Sequence, residues 1–174
     1  MQNDFVRKNG ALYVSDAEQI IDPIIELMHD PKWDHIIFTK DWHPANHISF
    51  GTFPPHCIQH TVGADIVGEL MIDDLRDNSW HIFQKGHLPH ADSMSVFVNS
   101  CGENTQVDSV MRNLGITHIC MVGVALEYCV KETALDAKKL GFDVNVILSL
   151  TKSITSDGYH NTVEEFNTHG ITIN

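Results

Sequence analysis

Apolar positions in this chain alternate between short near-continuous runs and longer stretches with a helical period. The runs are His35 to Thr39, Trp80 to Phe83, His118 to Gly123, Asp143 to Leu148 and Ile171 to Ile173. Their unbroken apolar character in the longer cases predicts parallel strands covered on both faces. Helices are predicted over Asp16 to His29, Thr105 to Leu114, Tyr128 to Leu140 and Asn161 to Thr168. In the first of these, Ile21, Ile25 and Met28 form an apolar stripe, Ser15 and Glu18 have the spacing of a capping box, and Pro23 predicts a kink. Three times a helical stretch meets a glycine and then an apolar run, at Gly115, Gly141 and Gly170, which suits a left-handed helix stop before a strand. Such alternation predicts an α/β fold: one doubly wound domain over residues 1–174, with a mostly parallel sheet flanked by helices. Its site is expected beyond the carboxyl ends of the strands.

Length and charge narrow the function classes. At 174 residues the chain supports one ordinary domain. Lys and Arg number 11 against 23 Asp and Glu, a formal net charge of −12, so a phosphate backbone or an anionic membrane surface is not an expected partner. No apolar run approaches a membrane span, and Met1-Gln2-Asn3-Asp4 lacks the basic, then apolar, character of a secretory leader, so a cytoplasmic, intracellular location is expected. Cys57, Cys101, Cys120 and Cys129 have neither disulfide-framework nor zinc-ribbon spacing.

Twelve histidines direct attention to metal or acid/base chemistry. Asp41, His43 and His47 follow the first predicted strand around Pro44, and His56 follows in the long Pro44 to Gly63 stretch. A carboxylate and imidazoles at a strand end suit a divalent cation. The same residue types also describe a polar surface loop, or the two-His-one-carboxylate site of non-haem iron oxygenases, which the predicted helices disfavour. Three protein ligands would leave open positions, whereas Cys57, next to His56, would close a structural zinc site. Cys129 lies where a strand passes through a turn into a helix, a place that lowers a thiol pKa; buried cysteine as a small hydrophobe is the plainer reading for Cys57, Cys101 and Cys120. Lys85 at a strand end and Asp4 near the terminus mean little alone.

Taken in order, Gln2-Asn3-Asp4-Phe5, Asp41-Trp42-His43-Pro44 with His47, Ser49 and Phe50, Pro55-His56-Cys57, Lys85-Gly86, Asp92-Ser93 and Glu127-Tyr128-Cys129-Val130 resemble the nicotinamidases of the isochorismatase-like cysteine hydrolases. The resemblance spans residue 2 to about residue 141. It implies an isochorismatase-like fold, hydrolysis of nicotinamide, and of its analogue pyrazinamide, through a thioester, and a place in NAD salvage. By the same resemblance, Asp4, Lys85 and Cys129 form the catalytic triad, and the amides of Ala125 and Cys129, around an unusual cis peptide at Val124-Ala125, form the oxyanion hole. Phe5, Trp42 and Tyr128, aromatics beside these motifs, are expected to wall the substrate ring, plain core packing being the alternative. The implied metal ligands are Asp41, His43 and His56, with His47 as a further ligand or a support, and the implied ion is zinc before iron or manganese. Nicotinamide is the implied partner, and a homo-oligomer is compatible with the family.

The family pattern also implies a central strand immediately before Gln2, where this sequence begins at Met1; either an N-terminal piece is missing, or the sheet is built without that strand, in which case Asp4 would be poorly fixed. Glu127 stands where many relatives have Asp, and Met94 where an aromatic is common. The alternatives are a ureidoacrylate or carbamoylsarcosine amidase, whose patterns lack the metal residues, and a non-catalytic metal-binding relative.

Overall fold

The computed structural model describes residues 1–71 and 80–174. They fall into two compact units, Met1–Asp92 and Ser93–Asn174, which are described in turn.

The first unit opens with a single helical turn, α1 (Asn3–Val6), and after a loop a 3-10 turn at Ala17–Ile20 runs into α2 (Ile21–Met28). The predicted first helix is therefore split. Asp16 takes a left-handed conformation and caps nothing, and Glu18 accepts a hydrogen bond from the Tyr13 hydroxyl instead of closing a capping box. Pro23 lies in the first turn of α2, where its missing N–H has no intrahelical partner to lose, so it opens a helix and does not kink one. Strand β1 (Ile36–Asp41) pairs in parallel with β2 (Trp80–Lys85), Ile36 opposite Trp80 and Asp41 opposite Lys85. One face of β2 is open, with Trp80 41% and Ile82 37% exposed, so the expected cover on both faces does not extend to this strand. The core of the unit is Val6, Val14, Ala17, Ile20, Ile21, Ile24, Ile66, Val67 and Leu70.

In the second unit, α3 (Val107–Asn113) leads to β3 (His118–Val124), and a wide turn over Leu126–Val130 continues into α4 (Lys131–Lys139). Then follow β4 (Asp143–Lys152), α5 (Ser156–Thr168) and β5 (Thr172–Ile173), the three strands forming a parallel ladder in the order β3-β4-β5. Helix α5 begins five residues earlier than the sequence predicts, because Thr155 caps it by accepting a hydrogen bond from the Gly158 N–H. The three helix-stop glycines have φ of 76° (Gly115), 87° (Gly141) and 65° (Gly170), the left-handed conformation their positions predicted. Phe97 and Phe142 stack at 6.0 Å, within a core that includes Leu126, Ala134, Val144, Val146 and Phe166.

Every ladder among the described residues is parallel and flanked by helices, as expected of an α/β fold: β1 with β2 in the first unit, and β3, β4 and β5 in the second. No helix among them is long and apolar enough to cross a membrane.

Candidate active site

Parallel pairing accounts for the centre of the first unit. Asp41 and Lys85 are the last residues of β1 and β2 and stand opposite each other, so their side chains leave the same face of the ladder and meet as a buried ion pair between Lys85 Nζ and Asp41 Oδ1. The other carboxylate oxygen, Asp41 Oδ2, lies 3.6 Å from His43 Nε2 and 3.8 Å from His56 Nε2. Burial pushes the Asp41 carboxyl up, but the Lys85 ammonium and the two imidazoles outweigh it and hold the group well below its ordinary value.

Both imidazoles are oriented through their far nitrogens. His43 Nδ1 donates to the Gly86 carbonyl at 2.9 Å and His56 Nδ1 to the Pro54 carbonyl at 2.8 Å. A carbonyl can only accept, so each Nδ1 carries a proton, and each Nε2 is the atom that faces Asp41 and would offer its lone pair to an ion held there. The ligand atoms of Asp41, His43 and His56 all lie within 4.8 Å of one another, and all three residues are buried. One carboxylate and two imidazoles supported in this way fit a divalent ion of borderline softness. Cys57 is not among the residues whose ligand atoms cluster here, and burial, with Asp41 and Asp4 nearby, pushes its thiol far up.

His47 stacks on His43 with ring centroids 4.0 Å apart. Its Nδ1 accepts from the Ser49 N–H at 3.3 Å and its Nε2 donates to the Ala91 carbonyl at 3.3 Å, so both nitrogens already have partners. It also forms a second close group with His43 and Asp92. The His47 pKa is lowered by burial and by neighbouring His43.

Asp4 sits on α1 and not at the end of a strand. It is nonetheless held: Oδ2 accepts the Cys57 N–H at 2.7 Å, Oδ1 accepts the Ala11 N–H at 3.1 Å, and the Asp4 carbonyl accepts the Leu12 N–H at 3.1 Å. The loose Asp4 expected without a preceding strand is therefore not found, because backbone amides of two loops do the fixing. Phe5 stands 5.6 Å from the His56 ring, and Trp42 is flanked by Lys40, at 4.0 Å from the ring centroid, and by His60 at 5.1 Å.

The sequence brings in Gln2 only as part of a motif and gives no sign of its role. Its buried amide accepts the Asp41 N–H at 2.8 Å and donates to the Asp41 and Ala64 carbonyls at 2.7 and 2.9 Å, pairing with Asp41 as a neighbouring strand would. A polar residue beside Met1 carries no such signal in the sequence. Gly86 was noted only as part of a motif; its φ is +63°, and a Cβ there would lie 2.4 Å from the His43 ring.

In the second unit, the Val124–Ala125 peptide is cis, as the resemblance implies. Cys129, half-buried, lies in the Leu126–Val130 turn and not yet in α4, and the Val130 N–H reaches back to the Ala125 carbonyl at 3.3 Å. Tyr128 is 36% exposed.

The family model described as an isochorismatase domain matches residues 1–173. The chain belongs to this family. Among the relatives of this isochorismatase domain is the nicotinamidase of Saccharomyces cerevisiae, 32% identical over 99% of this chain and 95% of its own length. Among solved structures, the pyrazinamidase of Pyrococcus horikoshii in complex with zinc is 36% identical with a TM-score of 0.87, over 100% of this chain and 94% of that one. PnC1 from L. infantum in complex with nicotinate is 31% identical with a TM-score of 0.92, over 100% and 88%.

Proposed function

We propose that this isochorismatase domain is a metal-dependent cysteine amidase that hydrolyses nicotinamide, and its analogue pyrazinamide, to the carboxylic acid and ammonia. The observation that carries the reading is the convergence of Asp41, His43 and His56 beside Lys85 in a chain similar over its whole length to nicotinamidases. The reading treats residues 1–174 as one hydrolase domain working inside the cell, with nicotinamide as its small-molecule partner. It assigns a single divalent ion to Asp41, His43 and His56, zinc first and iron or manganese next, with His47 as the support that stacks on His43. Bound there, the ion supplies a Lewis-acidic anchor for the pyridine nitrogen.

The chain's own residues do the rest. Asp4 accepts the Cys129 thiol proton, and the thiolate attacks the carboxamide carbon. The N–H groups of Ala125 and Cys129 stabilise the oxyanion of the tetrahedral intermediate. The C–N bond breaks, ammonia leaves with the proton Asp4 returns, and a thioester to Cys129 remains. Water, deprotonated by Asp4, attacks the thioester, the C–S bond breaks, and nicotinic acid leaves as the thiol is regenerated. Lys85 offsets the negative charge of Asp41 and of the developing anion, and Phe5, Trp42 and Tyr128 wall the ring.

The test of the mechanism is acid quenching during turnover of nicotinamide, followed by peptide mass spectrometry. A nicotinoyl adduct on Cys129 is expected. Its absence together with turnover in Cys129→Ala would point to direct attack by an activated water.

A further inference from the structure

The nucleophile turn is tied to a helix that no site residue belongs to. Glu127, two residues before Cys129, extends its carboxylate to the start of α5, where Oε1 accepts the N–H groups of Ile154 at 2.8 Å and Thr155 at 3.0 Å. Thr155 is the N-cap of α5 and holds the Gly158 N–H at 2.9 Å through its own hydroxyl. In a capping box the third residue of the helix would be Glu or Gln and would reach back to the N-cap N–H. Here that residue is Gly158, and the distant Glu127 supplies the carboxylate in its place.

Glycine is not needed at position 158 for backbone freedom, since its φ lies outside the positive region. It is needed for space: a Cβ there would lie 2.7 Å from both Glu127 Oε1 and the Thr155 hydroxyl oxygen, and 2.9 Å from Glu127 Cγ. Glu127 Oε2 is buried and accepts no hydrogen bond among the described residues. One oxygen thus does all the hydrogen bonding seen, so a neutral carboxamide could do the same. The helix N-terminus favours the negative charge, which a carboxamide would forgo.

We infer that Glu127 is a positioning residue: it completes the cap of α5 from outside and thereby fixes the turn that presents Cys129, with Gly158 vacating the space it occupies. The inference rests on the amidase reading for the role of Cys129. The capping geometry itself does not. Removing the Glu127 carboxylate leaves two amides at the α5 start without their acceptor and releases the turn, which should disturb the presentation of the nucleophile more than the capture of substrate.

Full-length Glu127→Gln, Glu127→Ala and Gly158→Ala, loaded with zinc, test this by three readouts: thermal unfolding, kcat and KM for ammonia release from nicotinamide, and the pH profile of Cys129 alkylation by iodoacetamide followed at the peptide level. Glu127→Ala and Gly158→Ala are expected to lower kcat roughly tenfold or more, with KM within about twofold, and to move the alkylation profile away from wild type. Glu127→Gln, whose carbonyl still accepts both amides, is expected to stay within about threefold of wild type on both readouts. A purely structural role would lower the unfolding temperature and leave kcat and the profile of the folded fraction unchanged, and that result overturns the inference. If Glu127→Ala does not fold, Gly158→Ala decides with Thr155→Val beside it, since a Cβ at 158 crowds both the Glu127 carboxylate and the Thr155 hydroxyl while Thr155→Val removes only the hydroxyl. A loss of kcat in Gly158→Ala that Thr155→Val does not share supports the inference, and an equal loss in both overturns it. Should the wild-type chain release no ammonia from nicotinamide, the functional reading falls, while the alkylation profiles still decide whether Glu127 positions Cys129.

Discussion

The carboxylate of Asp4 lies so close to Gly63 that a Cβ at that glycine would stand 2.3 Å from Asp4 Oδ2. The same oxygen accepts the Cys57 N–H, so it cannot yield without losing that bond. Gly63→Ala is therefore expected to lower kcat/KM for nicotinamide by roughly a hundredfold, as displaced catalytic groups do, while bound metal, measured by elemental analysis, stays at the wild-type level.

Gly86→Ala should have the opposite signature. Its Cβ would strike the His43 ring, and its positive φ disfavours any side chain. Because His43 is a proposed ligand and its Nδ1 partner is the Gly86 carbonyl, metal affinity is expected to fall about 10- to 100-fold, as it does when ligand-orienting partners are disturbed. Competition with a chromophoric chelator measures this directly.

Acid should strip the metal through His56. Burial alone would lower its pKa, but the hydrogen-bonding and charge of Asp41 and the Pro54 carbonyl raise it above the ordinary 6.5. A ligand imidazole must be neutral, so protons compete with metal from a pH above 6.5 downwards, while Asp41 remains ionised far below that range. Apparent metal affinity, titrated across this window, is expected to fall as pH falls. In the metal-free protein the sign reverses: a charged His56 contributes stability that is fully present below 6.5 and is lost as pH rises through its raised value.

The two cysteines that flank the proposed chemistry should behave differently towards iodoacetamide. Cys57 is buried with its thiol pushed far up, whereas Cys129 is half-buried on a turn leading into a helix. Near neutral pH, alkylation is expected at Cys129 and not at Cys57, and Cys57→Ala should retain substantial activity because only the backbone N–H of that residue holds Asp4.

The strands were legible because near-continuous apolar runs and helix-stop glycines such as Gly115 and Gly141 are local signals, and local signals survive folding. The clustering of Asp41, His43 and His56 was legible as an ordered motif. What the sequence hid is non-local. The pairing of Asp41 with Lys85 depends on parallel register, the cradle of Asp4 on amides donated from loops, and the cap of α5 on a carboxylate borrowed from Glu127. The failed capping box at Ser15 and Glu18 belongs with these, since Tyr13 won Glu18 by a contact that spacing alone does not rank.

Ammonia release from nicotinamide by the zinc-loaded chain, compared with Cys129→Ala of equal metal content, tests the central claim most directly. Equimolar ammonia and nicotinate from the wild type and none above background from the variant is the predicted result. No release from the metal-loaded wild type, or equal release from both, would contradict it.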